Sequence, residues 1–287
     1  MTVRPTWDPA QYLRHADHRS RPFGELLARL PEPPPRPTGR IADLGCGPGH
    51  LTALLAAHRP GSRVTGLDNS PEMLARARRD HAGPTGSGGR VDFALADART
   101  WTPQEPYDLI VSNAALQWVP GHADAFAGWL DGLTPGGVLA FQVPGNFDAP
   151  SHTLMRDLAA EPRWRDRLGG VLRHADAVLE PAAYLDRLTS LGAEADVWET
   201  TYLHLLPGED PVLDWLKGTG LRPVLTALAD DPAAADTFTR EYRDLLRTAY
   251  PRTGHGTVFP FRRIFAVARR PAAERRPTAD RRRRPGS

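Results

Sequence analysis

Residues 40 to 50, R-I-A-D-L-G-C-G-P-G-H, decide the fold of this chain. A short apolar run ends at Asp43 and leads into three glycines at alternate positions. Glycines in this arrangement are typical of a strand that runs into a turn whose backbone comes close to another group. We therefore predict a strand at 40–44, a helix at 49–58, and a ligand beside the turn that joins them.

Beyond this turn, short apolar runs alternate with stretches of helical spacing. Ser70 before Pro71 indicates a helix start, because serine caps helix N-termini and proline suits the first helical position. Asp8 before Pro9 gives the same signal for an N-terminal helix, which we expect to break near Pro22. The other helices are predicted near 122–132 and within 150–190 and 209–250, and the other strands at 63–67, 91–95, 108–112, 138–143, 194–205 and 258–268.

This alternation predicts an α/β, Rossmann-like fold with a seven-stranded, mostly parallel sheet and helices on both faces. Ligands should bind beyond the carboxyl ends of its strands. We expect four segments along the chain. They are an N-terminal helical segment closing over a cofactor (1–38), the Rossmann-like core (39–148), a helical lid with the closing strands (149–270) and a disordered tail (271–287).

Composition restricts the classes of function. The chain has 287 residues, 40% hydrophobic and 24% charged, with a formal net charge of +2, as in ordinary globular proteins. Neither an apolar run of membrane-spanning length nor an apolar signal region is present, so we expect a cytoplasmic protein without a membrane partner. Cys46 is the only cysteine, which excludes an internal disulfide and a multi-cysteine zinc site. We predict no metal.

The tail carries four adjacent arginines, Arg281 to Arg284, and no apolar periodicity. We interpret it as a solvated terminal run and expect no nucleic-acid partner. A binding protein that uses these arginines on a nucleic acid is the alternative from a different class. It predicts salt-sensitive binding that disappears when residues 271–287 are removed.

The glycine turn distinguishes between two classes of ligand. A dinucleotide fingerprint needs glycine at the sixth place of G-x-G-x-x-G, and here His50 occupies that place. The spacing G-x-G-x-G after Asp43 instead resembles the first motif of class I S-adenosylmethionine (SAM) methyltransferases. SAM has an ammonium group that needs an acidic partner, and Asp43 supplies one. Bare backbone for close approach comes from Gly45, Gly47 and Gly49.

Two further carboxylates follow the next strands. Asp68 ends the second strand, where it can accept hydrogen bonds from both ribose hydroxyls. Asp97 follows the third, where it can accept from an adenine amino group, with Ala98 offering backbone and Met73 packing on the adenine face. Acidic groups at three successive strand ends favour a cofactor site over isolated caps.

Nearly the whole chain resembles the trans-aconitate methyltransferase family. The specific segments are W-D-P-A-Q-Y-L-R-H-A-D-H-R-S-R-P, L-Q-W and T-G-L-R-P, and the more general ones are D-L-G-C-G-P-G and D-N-S-P-E-M-L. The resemblance implies methyl transfer from SAM to one carboxylate of trans-aconitate, giving a monomethyl ester and S-adenosylhomocysteine. Phe147, where we expect tryptophan, and Arg262, where proline often stands, depart from the family pattern.

Such a transfer needs no general base. A carboxylate with an ordinary pKa near 4 is already ionised at neutral pH. Catalysis then rests on holding the carboxylate and the methyl group in line. We therefore predict no catalytic side chain, and expect Gln117 and Trp118 to line the transfer site.

The candidate residues form two sets. Those for the cofactor are Trp7, Tyr12, Asp43, Gly45, Gly47, Gly49, Asp68, Asn69, Met73, Asp97, Ala98 and Asn113. Those for the substrate are His15, Arg19, Arg21, Gln117, Trp118, Tyr202, His204, Arg222 and Arg263. The arginines are expected to clamp the two carboxylates that do not react.

The expected partner is a small polycarboxylate, and the expected assembly is a monomer or weak homodimer. Another small-molecule acceptor, such as a biosynthetic intermediate, is the alternative that keeps the SAM site. A neutral or aromatic acceptor would predict a lid pocket without converging arginines.

Overall fold

The computed structural model describes residues 16–32, 38–173 and 175–272. Trp7, Tyr12, His15 and the arginine tail from residue 273 onward lie outside these residues, as do the side chains of residues 16–19 and 175. Within the described ranges, every helix is too short or too polar to cross a membrane.

A single mixed sheet forms the centre of the molecule. Its strands are β1 (Arg40–Leu44), β2 (Arg63–Asp68), β3 (Gly83–Pro84), β4 (Arg90–Leu95), β5 (Tyr107–Asn113), β6 (Leu133–Pro144), β7 (Glu194–Leu206), β8 (Arg252–Thr253) and β9 (Gly256–Arg269). They lie in the order β3-β4-β2-β1-β5-β6-β9-β7, with β8 paired to β9. The neighbours from β4 to β6 are parallel, and β9 is antiparallel to both β6 and β7. The seven predicted strands are confirmed, and β3 and β8 add two residues each.

The helices connect the strands and cover the sheet. They are α1 (Ala16–Ala28), α2 (His50–His58), α3 (Pro71–His81), α4 (Phe126–Asp131), α5 (Pro150–Ala160), α6 (Pro162–Leu168), α7 (Pro181–Ser190), α8 (Pro211–Lys217), α9 (Arg222–Ala227) and α10 (Pro232–Ala249). Ser70 caps α3 as predicted, since its hydroxyl accepts the Met73 N–H at 3.2 Å.

One local prediction was wrong. The expected break near Pro22 is absent, because α1 continues through this proline. Proline removes one helical hydrogen bond, and here burial of Phe23, Leu26 and Leu27 holds the helix against the sheet. The expected helix near 122–132 is confirmed, and it begins as a 3₁₀ turn at His122–Ala125 before the six-residue α4.

The core has three parts. One apolar cluster lies on the sheet face that α1, α2 and α3 cover, and a second lies on the opposite face with α4 and α7. The third is built by α5, α6 and α8 to α10, with Leu206 of β7 and Phe259 and Phe261 of β9. β7 and β9 therefore belong both to the sheet and to the third cluster.

Candidate functional site

The glycine turn after β1 combines close packing with one open position. Gly45, Gly47 and Gly49 have φ values of +74°, +55° and +84°, which disfavour side chains. A Cβ on Gly45 would lie 2.2 Å from that of Ala115, and one on Gly49 would lie 2.8 Å from the Phe93 ring. Among the described residues, a Cβ on Gly47 would meet nothing within 4 Å. Two of the glycines therefore serve packing, and Gly47 faces the space that a ligand can fill.

Asp68 ties this turn to the end of β2. One carboxylate oxygen accepts the Gly47 N–H and the other accepts the Ser70 N–H, both at 2.8 Å. Burial raises the pKa of the carboxyl, and these backbone hydrogen bonds partly offset the rise. Asn69 beside it is exposed. Each carboxylate oxygen keeps a lone pair for a further donor.

Asp43 lies beneath the turn. Its side chain is buried and accepts a hydrogen bond from the Thr52 hydroxyl at 2.6 Å. Burial raises the pKa of Asp43 to about 6, the Asp68 charge adds to the rise, and the Thr52 hydrogen bond opposes it. A buried carboxyl of this kind gains from a nearby cation.

The residues predicted to surround an adenine lie near the ends of β2 and β4. Met73 is buried in the first turn of α3, and Ala98 is partly buried. Asp97 accepts from the Arg99 guanidinium through both carboxylate oxygens, and from the Arg99 backbone N–H at 3.0 Å. An adenine amino group would therefore share this carboxylate with Arg99.

Polar amide atoms collect at the end of β5. Asn113 and Gln117 are buried, and within the described part of the chain Asn113 Oδ1 and Gln117 Oε1 have no hydrogen-bond partner. Ala114 between them has a φ of +52°. The Gln117 Nε2 donates to the Ala114 carbonyl at 2.5 Å. Two buried acceptors are thus available for a donor from a ligand.

Three predicted acceptor-side residues come together around Phe261 on one sheet face. Tyr202 is its cross-strand partner, and the ring centroid of His204 lies 6.2 Å from that of Phe261. The Arg263 guanidinium lies 4.7 Å from the same ring and donates to Gln142 Oε1 at 3.0 Å. The Tyr202, His204 and Arg263 side chains are all buried.

The remaining predicted arginines lie at other places. Arg21 pairs with Glu25 on α1 at 3.1 Å, and its guanidinium lies 5.0 Å from the Tyr202 ring. Arg19 is part of the same helix, and Arg222 begins α9, where it is partly buried.

Comparison with known proteins agrees with this architecture. Residues 41–137 match the family of the methyltransferase domain. The chain is 70% identical to a trans-aconitate 2-methyltransferase of Streptomyces coelicolor, over 93% of this chain and 88% of that protein. It is also 70% identical to a protein of the same name from Streptomyces avermitilis, over 93% and 98%. The chain belongs to the trans-aconitate 2-methyltransferase family.

The fold also resembles solved structures at low identity. One is a phosphoethanolamine N-methyltransferase of Haemonchus contortus bound to S-adenosylhomocysteine, with a TM-score of 0.50 and 19% identity. The match covers 87% of this chain and 53% of that one. It supports the class I methyltransferase fold of this trans-aconitate 2-methyltransferase family member.

Several polar residues near the site of this family member were not among the site residues predicted from the sequence. Arg173 stacks on Trp118, with the guanidinium 3.4 Å from the ring centroid. Gln142 is fully buried, holds Arg263, and leaves its Nε2 without a hydrogen-bond partner among the described residues. Asn146 similarly leaves its Nδ2 unpaired there. Gln142 could have been suspected, since an amide inside the apolar run of β6 is unusual, but Arg173 gives no such signal.

Proposed function

We propose that this protein transfers a methyl group from SAM to one carboxylate of trans-aconitate, giving the monomethyl ester and S-adenosylhomocysteine. The observation that carries the proposal is the open position at Gly47, bordered by Asp43 and Asp68 and lying at the same sheet edge as Asn113. Membership of the trans-aconitate 2-methyltransferase family supports this donor and this acceptor.

The residues at this edge fit SAM. Gly47 leaves room for the amino acid end, and Asp43 and the Asn113 Oδ1 offer acceptors to its ammonium. Asp68 would accept from the ribose hydroxyls, and Asn69 would lie beside them. Met73, Asp97 and Ala98 would surround the adenine. Trp7 and Tyr12 remain predictions for closing the site, since they lie outside the described residues.

Bound SAM supplies a methyl group on a positively charged sulfur. The task of the protein is to hold an already ionised carboxylate in line with that methyl group and to exclude water. Gln117 and Trp118, directly after β5, would orient the acceptor at the mouth of the site. No side chain has to remove a proton, so no general base is proposed.

The non-reacting carboxylates need donors that leave the reacting one free. We propose Tyr202, His204, Arg222 and Arg263 for this role, with His15, Arg19 and Arg21 from the N-terminal segment. The helices within residues 149–270, which build the third cluster, would act as the lid that contains the acceptor, and the same segment supplies the closing strands of the core. We also infer a monomer or weak homodimer that acts in the cytoplasm.

Mass spectrometry of a reaction with methyl-labelled SAM tests the proposal. Trans-aconitate is compared with cis-aconitate, citrate and itaconate as parallel acceptors. Labelled trans-aconitate monoester as the fastest-formed product supports it. If the protein binds SAM but methylates none of these acids, the proposed acceptor is wrong and the proposed donor stands. Sedimentation of the same sample measures the oligomeric state.

A further inference from the structure

A partly buried arginine lies beside the predicted transfer site. Arg173 belongs to the segment between α6 and α7, and its guanidinium is 3.4 Å from the ring centroid of Trp118 and 5.1 Å from that of Phe147. Its Nη1 donates to the Gln117 carbonyl at 3.3 Å. Two aromatic faces and one carbonyl therefore fix the plane of the guanidinium.

Among the described side chains, no carboxylate balances the charge of Arg173. None of the carboxylates in residues 20–32, 38–173 and 176–272 forms an ion pair with it. Burial lowers the pKa of Arg173 to about 9, so the side chain is still a cation at neutral pH. A desolvated cation of this kind gains free energy when an anion reaches it.

The described walls of the adjoining cavity add positive charge and no negative charge. They are formed by Phe147, His152, Met155, Arg156, Leu172, Arg173, Gly220 and Pro223. Arg156 donates to the Phe147 carbonyl at 2.6 Å, and its contact with the exposed Asp148 is long, at 3.9 Å. Burial, together with Arg173 and Arg156, lowers the pKa of His152 to about 3, so this imidazole is neutral.

The cavity lies close to the donor side of the site. Ala115 packs directly on Gly45 of the glycine turn, and Trp118 donates its backbone N–H to the Ala115 carbonyl at 2.9 Å. Arg173 stacks on that same Trp118. One 3₁₀ turn, Leu116–Trp118, thus separates the cationic cavity from the turn that would hold SAM.

We propose that Arg173, with Arg156 behind it, binds a carboxylate of the acceptor that does not react, and so sets the preference for polycarboxylates. This inference rests on the proposed function and assigns an acceptor subsite to it. A planar guanidinium offers two parallel N–H donors to a carboxylate, and Phe147 and Met155 give the cavity apolar walls beside it. Hydrogen bonds from arginine withdraw charge from a carboxylate, so the bound one is the poorer nucleophile and the distant one reacts.

The test compares Arg173→Gln and Arg173→Lys with Arg165→Gln, which changes an exposed arginine on α6. Steady-state kinetics are measured with trans-aconitate and with the dicarboxylate itaconate. Binding of S-adenosylhomocysteine, and binding of trans-aconitate in its presence, are measured by calorimetry. Arg173→Gln is expected to raise the KM and the Kd for trans-aconitate about ten- to hundredfold, with little change for S-adenosylhomocysteine. Arg173→Lys should recover part of the loss, and Arg165→Gln should match the wild type.

The outcomes separate the two proposals. If the wild-type protein methylates trans-aconitate and Arg173→Gln leaves both KM and Kd unchanged, the subsite is wrong and the proposed function stands. If the wild type methylates none of the acids, the proposed function fails, and the calorimetric Kd for trans-aconitate still decides whether Arg173 binds a polycarboxylate. A parallel loss of S-adenosylhomocysteine binding in both Arg173 variants would mean a structural role and would overturn the inference.

Discussion

At the residue scale, the buried carboxyl of Asp43 destabilises the folded state when it is ionised. Its pKa is raised to about 6 by burial, against 3.8 for a free side chain. Between these two pH values the folded chain holds a proton that the unfolded chain has lost, so the free energy of unfolding falls as pH rises through this window. The shift corresponds to about 3 kcal/mol at pH 7.5.

Asp43→Asn should abolish this pH dependence. The stability of the variant relative to wild type should rise by about 3 kcal/mol from pH 3.5 to pH 7.5, as measured by urea unfolding without ligand. Asp92→Asn, on an exposed residue paired with Arg90, should follow the wild-type profile. Parallel curves for Asp43→Asn and wild type would show that Asp43 has an ordinary pKa.

Asp68 is predicted to act on ligand binding. Asp68→Asn weakens two hydrogen bonds from backbone N–H groups and removes the charge that a ribose would meet. Hydrogen bonds to charged groups contribute roughly 1.5–3 kcal/mol, so the Kd for S-adenosylhomocysteine should rise at least about tenfold. Calorimetry measures this rise, with Asp92→Asn again as the control. An unchanged Kd would remove Asp68 from the cofactor site.

At the scale of elements, α1 is fixed to the edge strand β7 by a few polar contacts. The Tyr202 hydroxyl donates to Glu25 at 2.6 Å, and Arg29 lies over the Trp198 ring and pairs with Asp196. The N-terminal segment therefore contacts the proposed acceptor side through Tyr202. The position of the N-terminal segment depends on Tyr202, which we predicted from the sequence to bind the substrate.

Tyr202→Phe should release this end of α1. The loss of a hydrogen bond to a partly buried carboxylate should destabilise the chain by about 1.5–3 kcal/mol. Arg21→Ala, which removes an exposed ion pair with Glu25 and a contact with the Tyr202 ring, should cost less, under about 1 kcal/mol. Unfolding in urea and limited proteolysis near α1 measure both effects. Equal losses for the two variants would mean that the hydroxyl contact contributes nothing special.

Periodicity and turn chemistry predicted most elements, because each rests on local signals. Ser70–Pro71 fixed the start of α3, and apolar runs located the strands. Other features depend on distant contacts. Position 45 needs glycine because a side chain there would clash with Ala115, which lies seventy residues further along the chain. The role inferred for Arg173 depends on its contacts with Trp118 and Phe147. The sequence around Arg173 has no pattern that distinguishes it from the many other arginines.

At the scale of the whole molecule, the helices proposed as a lid and the sheet share two strands. β7 and β9 pair without interruption from Glu194–Arg269 to Leu206–Thr257. The end of β7 and the start of β9 pack in the third apolar cluster. A lid built in this way cannot lose its packing without exposing apolar side chains of the sheet strands. We therefore expect the lid and the core to unfold together.

Phe238→Ala tests this coupling from the lid side. Phe238 of α10 is fully buried and packs edge-on against Trp164 at 5.3 Å between ring centroids. Truncating such a residue costs about 3–5 kcal/mol, and the whole transition should shift by this amount with an unchanged urea dependence. Leu245→Ala, at a more exposed position of the same helix, should cost much less. Two separate transitions, with only the lid one displaced, would show an independent domain. Because the lid forms the walls around Arg173, Phe238→Ala should also raise the KM for the acceptor while the Kd for S-adenosylhomocysteine changes little.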